Sequence, residues 1–261
     1  MTLVTDMDAR TADEVSDLLV DVARRVVLPR FGTLRDDQVL QKRPGDLVTV
    51  ADREAEAEIS AALRLLSPSA LVVGEEESFL DPSLLDKLAV ADEAWVVDPI
   101  DGTRNFTRHS PDFALMVAHV RGGETVEGWI YQPIHDAMYR AELGAGVLCN
   151  GEPVARHADR PRLLGAAYTR QSGQPEHIDL RRSWGACGID YPKLLTGEID
   201  FLAYREGLPW DHLPGCLMVT QMGGRAATRD GVPYAPGVAS APLSVIPADE
   251  WDIVLGDVTM V

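Results

Sequence analysis

The stretch Trp95-Val96-Val97-Asp98-Pro99-Ile100-Asp101-Gly102-Thr103-Arg104-Asn105-Phe106 constrains this chain more than any other. Its apolar start reads as a buried strand that delivers two carboxylates into a turn, with a glycine and a hydroxyl directly after them. Asp98 and Asp101, held apart by Pro99 and Ile100, repel each other unless positive charge lies between them. A hard divalent cation such as Mg²⁺ meets that need, because it takes clustered oxygen ligands. The Gly102 and Thr103 amides then open a short helix, and a helix N-terminus attracts anions. A cation beside an anion site points to phosphate chemistry.

Charge sharpens this reading. A formal net charge of -17 argues against nucleic-acid backbones and anionic membranes as partners. The same field would repel a phosphorylated metabolite, and bound divalent cations would reverse it locally. The 261 residues suffice for a large core, in one large domain or two intimate ones. No apolar run approaches the roughly 20 residues of a membrane span. Met1-Thr2-Leu3-Val4-Thr5-Asp6 shows neither a basic start nor an apolar core, so no secretory signal is expected. Cys149, Cys187 and Cys216 form no CxxC pair and read as reduced thiols of a cytoplasmic protein.

Along the chain, apolar spacing from Val15 to Val27 predicts an amphipathic helix over 11–28, started by Thr11 with Glu14 and stopped by Pro29. A polar loop from Gln41 leads into a second helix over 51–66. Ala70–Val73 reads as a short strand running into Gly74-Glu75-Glu76-Glu77-Ser78. Such an acidic run is commonly a solvated loop, yet it follows a strand just as Asp98 does, and strand ends are where α/β proteins place their sites. Strands follow over 113–121, 127–133 and 137–142, with a soft domain boundary near 150. The expected division is an α+β domain, 1–150, holding most candidate ligands, and an α/β domain, 151–261, holding Asp211 and the substrate side. The second part alternates: strand 164–169, helix 186–196, strand 200–204, helix 211–222, strands 226–228 and 243–246, and a helix over 248–256. The whole is a mixed α/β chain.

Two other acidic motifs fail when counted from Asp98. A calcium EF-hand loop would need acids or Gly where Ile100, Gly102, Thr103 and His109 stand. A haloacid-dehalogenase-type phosphatase would place its nucleophile at Pro99, which excludes a covalent aspartyl-phosphate there. Attack by a metal-activated water remains.

Trp95 through Arg108 resembles the signature of the inositol monophosphatase family of Mg²⁺-dependent phosphatases. Asp46-Leu47-Val48-Thr49-x-x-Asp52, Gly74 to Ser78, Thr196-Gly197-x-x-Asp200 and Trp210-Asp211 agree with it in order and spacing. The resemblance implies a layered αβαβα sandwich of the inositol monophosphatase/fructose-1,6-bisphosphatase type, two or three Mg²⁺ per site, homodimerisation and lithium sensitivity. It implies that Glu75, Asp98 and the Ile100 carbonyl hold one metal, and that Asp98, Asp101 and Asp211 hold another. Asp52 would orient Thr103, Thr103 and Glu75 would position the attacking water, and the Gly102 and Thr103 amides would bind phosphate. On the substrate side it points to Gly185, Cys187 and Tyr204.

The departures lie there too. Tyr204 stands where inositol phosphatases typically carry Glu, His212-Leu213-Pro214 replaces small residues, and Lys42 is an approximate counterpart of a loop lysine. By itself Asp211 reads as a helix N-cap, and His212 as a loop or surface histidine. Inositol 1-phosphate is the first expected substrate. Histidinol phosphate, fructose 1,6-bisphosphate, adenosine 3′,5′-bisphosphate and an NADP phosphate are alternatives, and a non-catalytic metal-dependent binding protein is the competing class.

Overall fold

The computed structural model describes residues 9–167 and 176–259. Apolar residues at helical spacing put α1 (Ala9–Val22) on the core, where Val15, Leu19 and Val22 are fully buried. The helix continues through a π turn, Ala23–Val27, and ends in a short 3₁₀ turn containing Pro29. The segment read as a polar loop is instead a hairpin, β1 (Val39–Arg43) and β2 (Asp46–Thr49). Pro44-Gly45 makes its tight turn, with Gly45 at φ +88°. Thr49 and Asp52 then form a capping box that starts α2 (Val50–Leu66).

Among the described residues the other strands make two larger sheets. The first runs in order β3 (Leu71–Gly74), β4 (Glu93–Asp101), β5 (Ala114–Arg121), β6 (Glu124–Gln132), β7 (Ala137–Glu142), β8 (Gly146–Cys149) and β9 (Glu152–Pro153). Only β3 and β4 pair in parallel. Helices α3 (Glu75–Leu80), α4 (Ser83–Leu88) and α5 (Thr103–Thr107) follow β3 and β4. The second sheet is built from β10 (Leu163–Ala167), β11 (Ile178–Arg182), β12 (Phe201–Ala203), β13 (Arg225–Ala227) and β14 (Leu243–Val245), ordered β11-β10-β12-β14-β13. Tyr168 and Thr169, expected in strand β10, lie outside the described residues.

Alternation along the strands decides the layers. Trp95, Val97, Leu115, Val117 and Trp129 face α1 and α2, whereas Met116 and Ile130 face α6 (Cys187–Thr196) and α7 (Pro209–Gln221). The second sheet meets α6 and α7 through Leu202 and Ala226, and packs α8 (Trp251–Thr259) on its far face through Trp251 and Val254. The result is an αβαβα sandwich with α6 and α7 as the filling. Pro214 lies inside α7, against Gly128 of β6, where a Cβ would come within 2.9 Å of the proline. No helix among the described residues is long and apolar enough to cross a membrane.

Candidate active site

Parallel pairing of β3 and β4 aligns Gly74 with Val97, so Glu75, just past the end of β3, and Asp98 within β4 come next in register. The acidic run begins a helix, and its geometry depends on a residue below it. Glu56, one turn beyond Asp52 on α2, accepts the amides of Glu76 at 2.7 Å and Glu77 at 2.9 Å. Burial raises the Glu56 carboxyl to about 7. A Cβ at Gly74 would stand 2.3–2.6 Å from that carboxylate. Gly74→Ala should therefore cost about 1–3 kcal/mol as an overpacked site. Chemical denaturation checks this, and an unchanged midpoint would mean that Glu56 has room to retreat.

The β4–β5 register breaks between Asp98 and Asp101, and Gly102 follows at φ +84°. A side chain at Gly102 would meet the Ala186 Cβ at 2.8 Å. This kink turns Asp101 inward, where Oδ1 accepts the Cys187 amide at 3.1 Å and Oδ2 the Gly188 amide at 2.6 Å. Asp211, in the first turn of α7, completes the group: Asp98, Asp101 and Asp211 each offer a carboxylate oxygen within 4.8 Å of the other two.

Burial is the leading cause that raises these carboxyls, Asp101 to about 7 and Asp211 to about 8. Asp98 and Glu75 are also held well above the ordinary carboxylate range by burial, with neighbouring acids adding to it. Asp98 Oδ1 is buried with no hydrogen-bond partner. An all-oxygen donor set with an orphaned buried oxygen fits a hard divalent cation. Lys42 reaches the same acidic end, its Nζ 2.6 Å from Glu75 and 2.8 Å from Glu76. These two acids hold the ammonium protonated against its burial.

Thr103 Oγ1 lies 3.0 Å from both Asp52 Oδ1 and the Ile100 carbonyl. The other Asp52 oxygen accepts the Thr49 amide at 2.8 Å, and burial raises the Asp52 carboxyl to about 6. Asn105 ties this loop to the one before α6, donating to the carbonyls of Asp112 at 2.7 Å and Trp184 at 2.9 Å.

The structure places Gly185 at φ +82° in the loop before α6, and Cys187 at the start of α6 with its amide on Asp101. Tyr204 is buried, and its hydroxyl donates to Asp190 Oδ2 at 3.3 Å. Asp190, absent from the residues picked out by sequence, also accepts the Ser183 hydroxyl at 2.6 Å and the Trp184 amide at 2.9 Å. Burial lifts it to about 6.

His212 is not at the surface as expected. It is 1% exposed within α7, between Tyr191, Tyr204 and Tyr234. The reason is the position of α7 between two sheets, which leaves almost no solvent-facing side along its length. Burial pushes the imidazole down to about 4.

With this geometry, comparison with known proteins is direct. The model of the inositol monophosphatase family matches residues 4–251. The inositol-1-monophosphatase of Rhizobium meliloti (strain 1021) is 32% identical over 219 residues, covering 77% of this chain and 79% of that protein. The Nus factor SuhB of Escherichia coli (strain K12) is 31% identical over 219 residues, with the same 77% and 79% coverage. Among solved structures, the Thermotoga maritima IMPase has a TM-score of 0.78 at 23% identity, covering 97% of this chain and 98% of that one. An IMPase/NADP phosphatase complexed with Mg²⁺ and phosphate has a TM-score of 0.74 at 20% identity, covering 94% and 95%. The structural likeness carries the fold, and the family match over nearly the full length carries more: the chain belongs to the inositol monophosphatase family and is a phosphomonoester hydrolase.

Proposed function

We propose that the chain hydrolyses a small phosphomonoester with Mg²⁺ held by Asp98, Asp101, Asp211, Glu75 and the Ile100 carbonyl. The observation that carries this reading is the trio of buried Asp98 and Asp101 with half-buried Asp211, beside the Thr103–Asp52 pair. When bound, the cation supplies charge neutralisation for the phosphate and a lowered pKa for a coordinated water. The chain's own residues do the positioning. Thr103 has one hydroxyl proton and two acceptors in reach, and the ionised Asp52 takes it in preference to the neutral Ile100 carbonyl. The free lone pairs of Thr103 then accept from a water, while Glu75 accepts its other proton and aims its remaining lone pair at phosphorus. The Gly102 and Thr103 amides are the groups proposed to hold the phosphate oxygens.

Inositol 1-phosphate is the first substrate to test, given the names of the relatives. Tyr204 favours keeping the alternatives open, because its hydroxyl is engaged by Asp190 rather than free for a substrate hydroxyl. A protein named fructose-1,6-bisphosphatase/inositol-1-monophosphatase from Thermotoga maritima is 30% identical over 203 residues. The free thiols Cys149, Cys187 and Cys216 support a reducing, cytoplasmic setting.

Phosphate release from inositol 1-phosphate, fructose 1,6-bisphosphate, histidinol phosphate, adenosine 3′,5′-bisphosphate and NADP, with and without Mg²⁺, tests the proposal. Turnover of none of them by Mg²⁺-loaded protein would overturn it. Thr103→Val should lower kcat by roughly 10²–10⁴-fold, the range of a lost proton-transfer contact, while the Mg²⁺-induced rise in melting temperature persists. A loss of less than about tenfold would remove Thr103 from the water-positioning role.

A further inference from the structure

Cys187, Asp211 and His212 also bring one potential ligand atom each to within 4.8 Å of the other two. Cys187 arrives on α6, and Asp211 with His212 on α7. Relative to the carboxylate trio, this second set keeps Asp211 and offers a thiol sulfur and an imidazole nitrogen in place of two oxygens. Sulfur, nitrogen and one carboxylate suit a borderline-soft cation, Zn²⁺ above all, and three protein ligands leave a fourth position for water.

The hydrogen bonds of His212 fix its tautomer. Its Nε2 lies 2.7 Å from the Glu206 carbonyl, which can only accept, so Nε2 carries the proton and the lone pair is on Nδ1. A backbone carbonyl that fixes the tautomer in this way is a common support for a metal-binding imidazole. Tyr191 donates to Nδ1 at 3.2 Å and has Cys216 Sγ at 3.3 Å as a second acceptor. For a cation to take that lone pair the hydroxyl oxygen must move aside, with the Cys216 sulfur as the partner that remains in its reach. Cys187 binds a cation by giving up its thiol proton. The exchange is Cys–SH plus M²⁺ giving a Cys–S–M bond plus H⁺, with no oxidant or reductant involved.

We propose that Cys187, Asp211 and His212 form a second, thiophilic cation site that takes Zn²⁺. Because both sets need Asp211, Zn²⁺ seated here competes with the hard cation of the carboxylate trio, which makes the site inhibitory. Its existence does not depend on the phosphatase reading, since it concerns binding to the free protein.

Co²⁺ serves as the visible substitute for Zn²⁺. Titrating Co²⁺ into the metal-free full-length chain should give a thiolate-to-cobalt charge-transfer band that saturates at one equivalent and disappears when Zn²⁺ is added. Cys187→Ser should abolish the band and weaken Zn²⁺ binding by at least about tenfold, the smaller end of the loss seen when only a supporting group is removed. Cys149→Ser and Tyr191→Phe should keep the band. Circular dichroism and the Mg²⁺-induced melting shift establish that the Cys187→Ser protein is folded. A measurement without any variant covers the case in which it is not: Zn²⁺ should protect Cys187 from alkylation by iodoacetamide, read by peptide mass. No band in the wild-type protein, a band that survives Cys187→Ser, a band lost only on Cys216→Ala, or unprotected Cys187 would each overturn the site.

Discussion

Asp98→Asn should reduce phosphate release by roughly 10³-fold or more at saturating Mg²⁺. The residue is 2% exposed, has one oxygen without a partner, and feels the charges of Glu75, Asp101 and Asp211. An amide of the same shape offers one neutral oxygen and no negative charge, so a cation shared by these groups loses its central ligand. Transition-state stabilisation by a bound cation amounts to several kcal/mol, and each 1.36 kcal/mol is about tenfold in rate. Steady-state phosphate release, with Mg²⁺ varied into the tens of millimolar, is the measurement. If extra Mg²⁺ restored most of the activity, Asp98 would be one interchangeable ligand among several. If the rate hardly fell, the trio would not be the catalytic metal centre.

The second large effect is on stability, and its sign follows from the direction of the pKa changes. Asp52, Glu56, Asp101 and Asp211 move up from 3.8, 4.5, 3.8 and 3.8 to about 6, 7, 7 and 8, burial leading in every case. The folded chain thus keeps protons that the unfolded chain has released. This contribution to stability is complete below about pH 4 and is lost as pH rises through the folded values, up to about pH 8. Asp101 alone, going from 3.8 to about 7, represents on the order of 4 kcal/mol across that window. Metal-free protein should accordingly melt at progressively lower temperature between about pH 5 and pH 8.5. Mg²⁺ should reverse the trend at the alkaline end, because it binds the ionised cluster of the folded state only. At about a hundred times its dissociation constant it adds about 2.7 kcal/mol, or roughly 5–11 °C for a chain of this size. Differential scanning fluorimetry across pH, with EDTA and with Mg²⁺, reads both parts. A metal-free melting temperature that climbs over this range would contradict the buried-carboxylate account, as would the same slope with and without Mg²⁺.

How legible each feature was depends on how local it is. The strand, kink and short helix from Trp95 to Phe106 are consecutive residues, so alternation, Pro99 and Gly102 carry most of that geometry. Glu75 could be paired with Asp98 because both acids end short apolar strands. Glu56 sits one turn beyond Asp52 on the same helix face, a spacing that could have marked it, but its partners are backbone amides that no sequence pattern displays. The hairpin of β1 and β2 looked like a loop because β1 is largely exposed and ends in Gln41-Lys42-Arg43 before the Pro44-Gly45 turn. His212 looked exposed because Asp and His beside a proline read as the polar start of a helix. Burial of α7 between two sheets overrode that pattern.

The Asp98–Asp101 spacing and the acids after Val73 by themselves pointed to the kind of chemistry, because carboxylates clustered on strand ends repel one another unless a cation or a proton lies between them. Tertiary structure alone decided which distant groups complete the site. Asp211 joins Asp98 and Asp101, Lys42 reaches Glu75, and Cys187 meets His212 through the packing of α6 and α7 between the sheets. The physical reason is range: charge repulsion and turn geometry act between neighbours in sequence, whereas burial and ligand convergence exist only once the layers have closed.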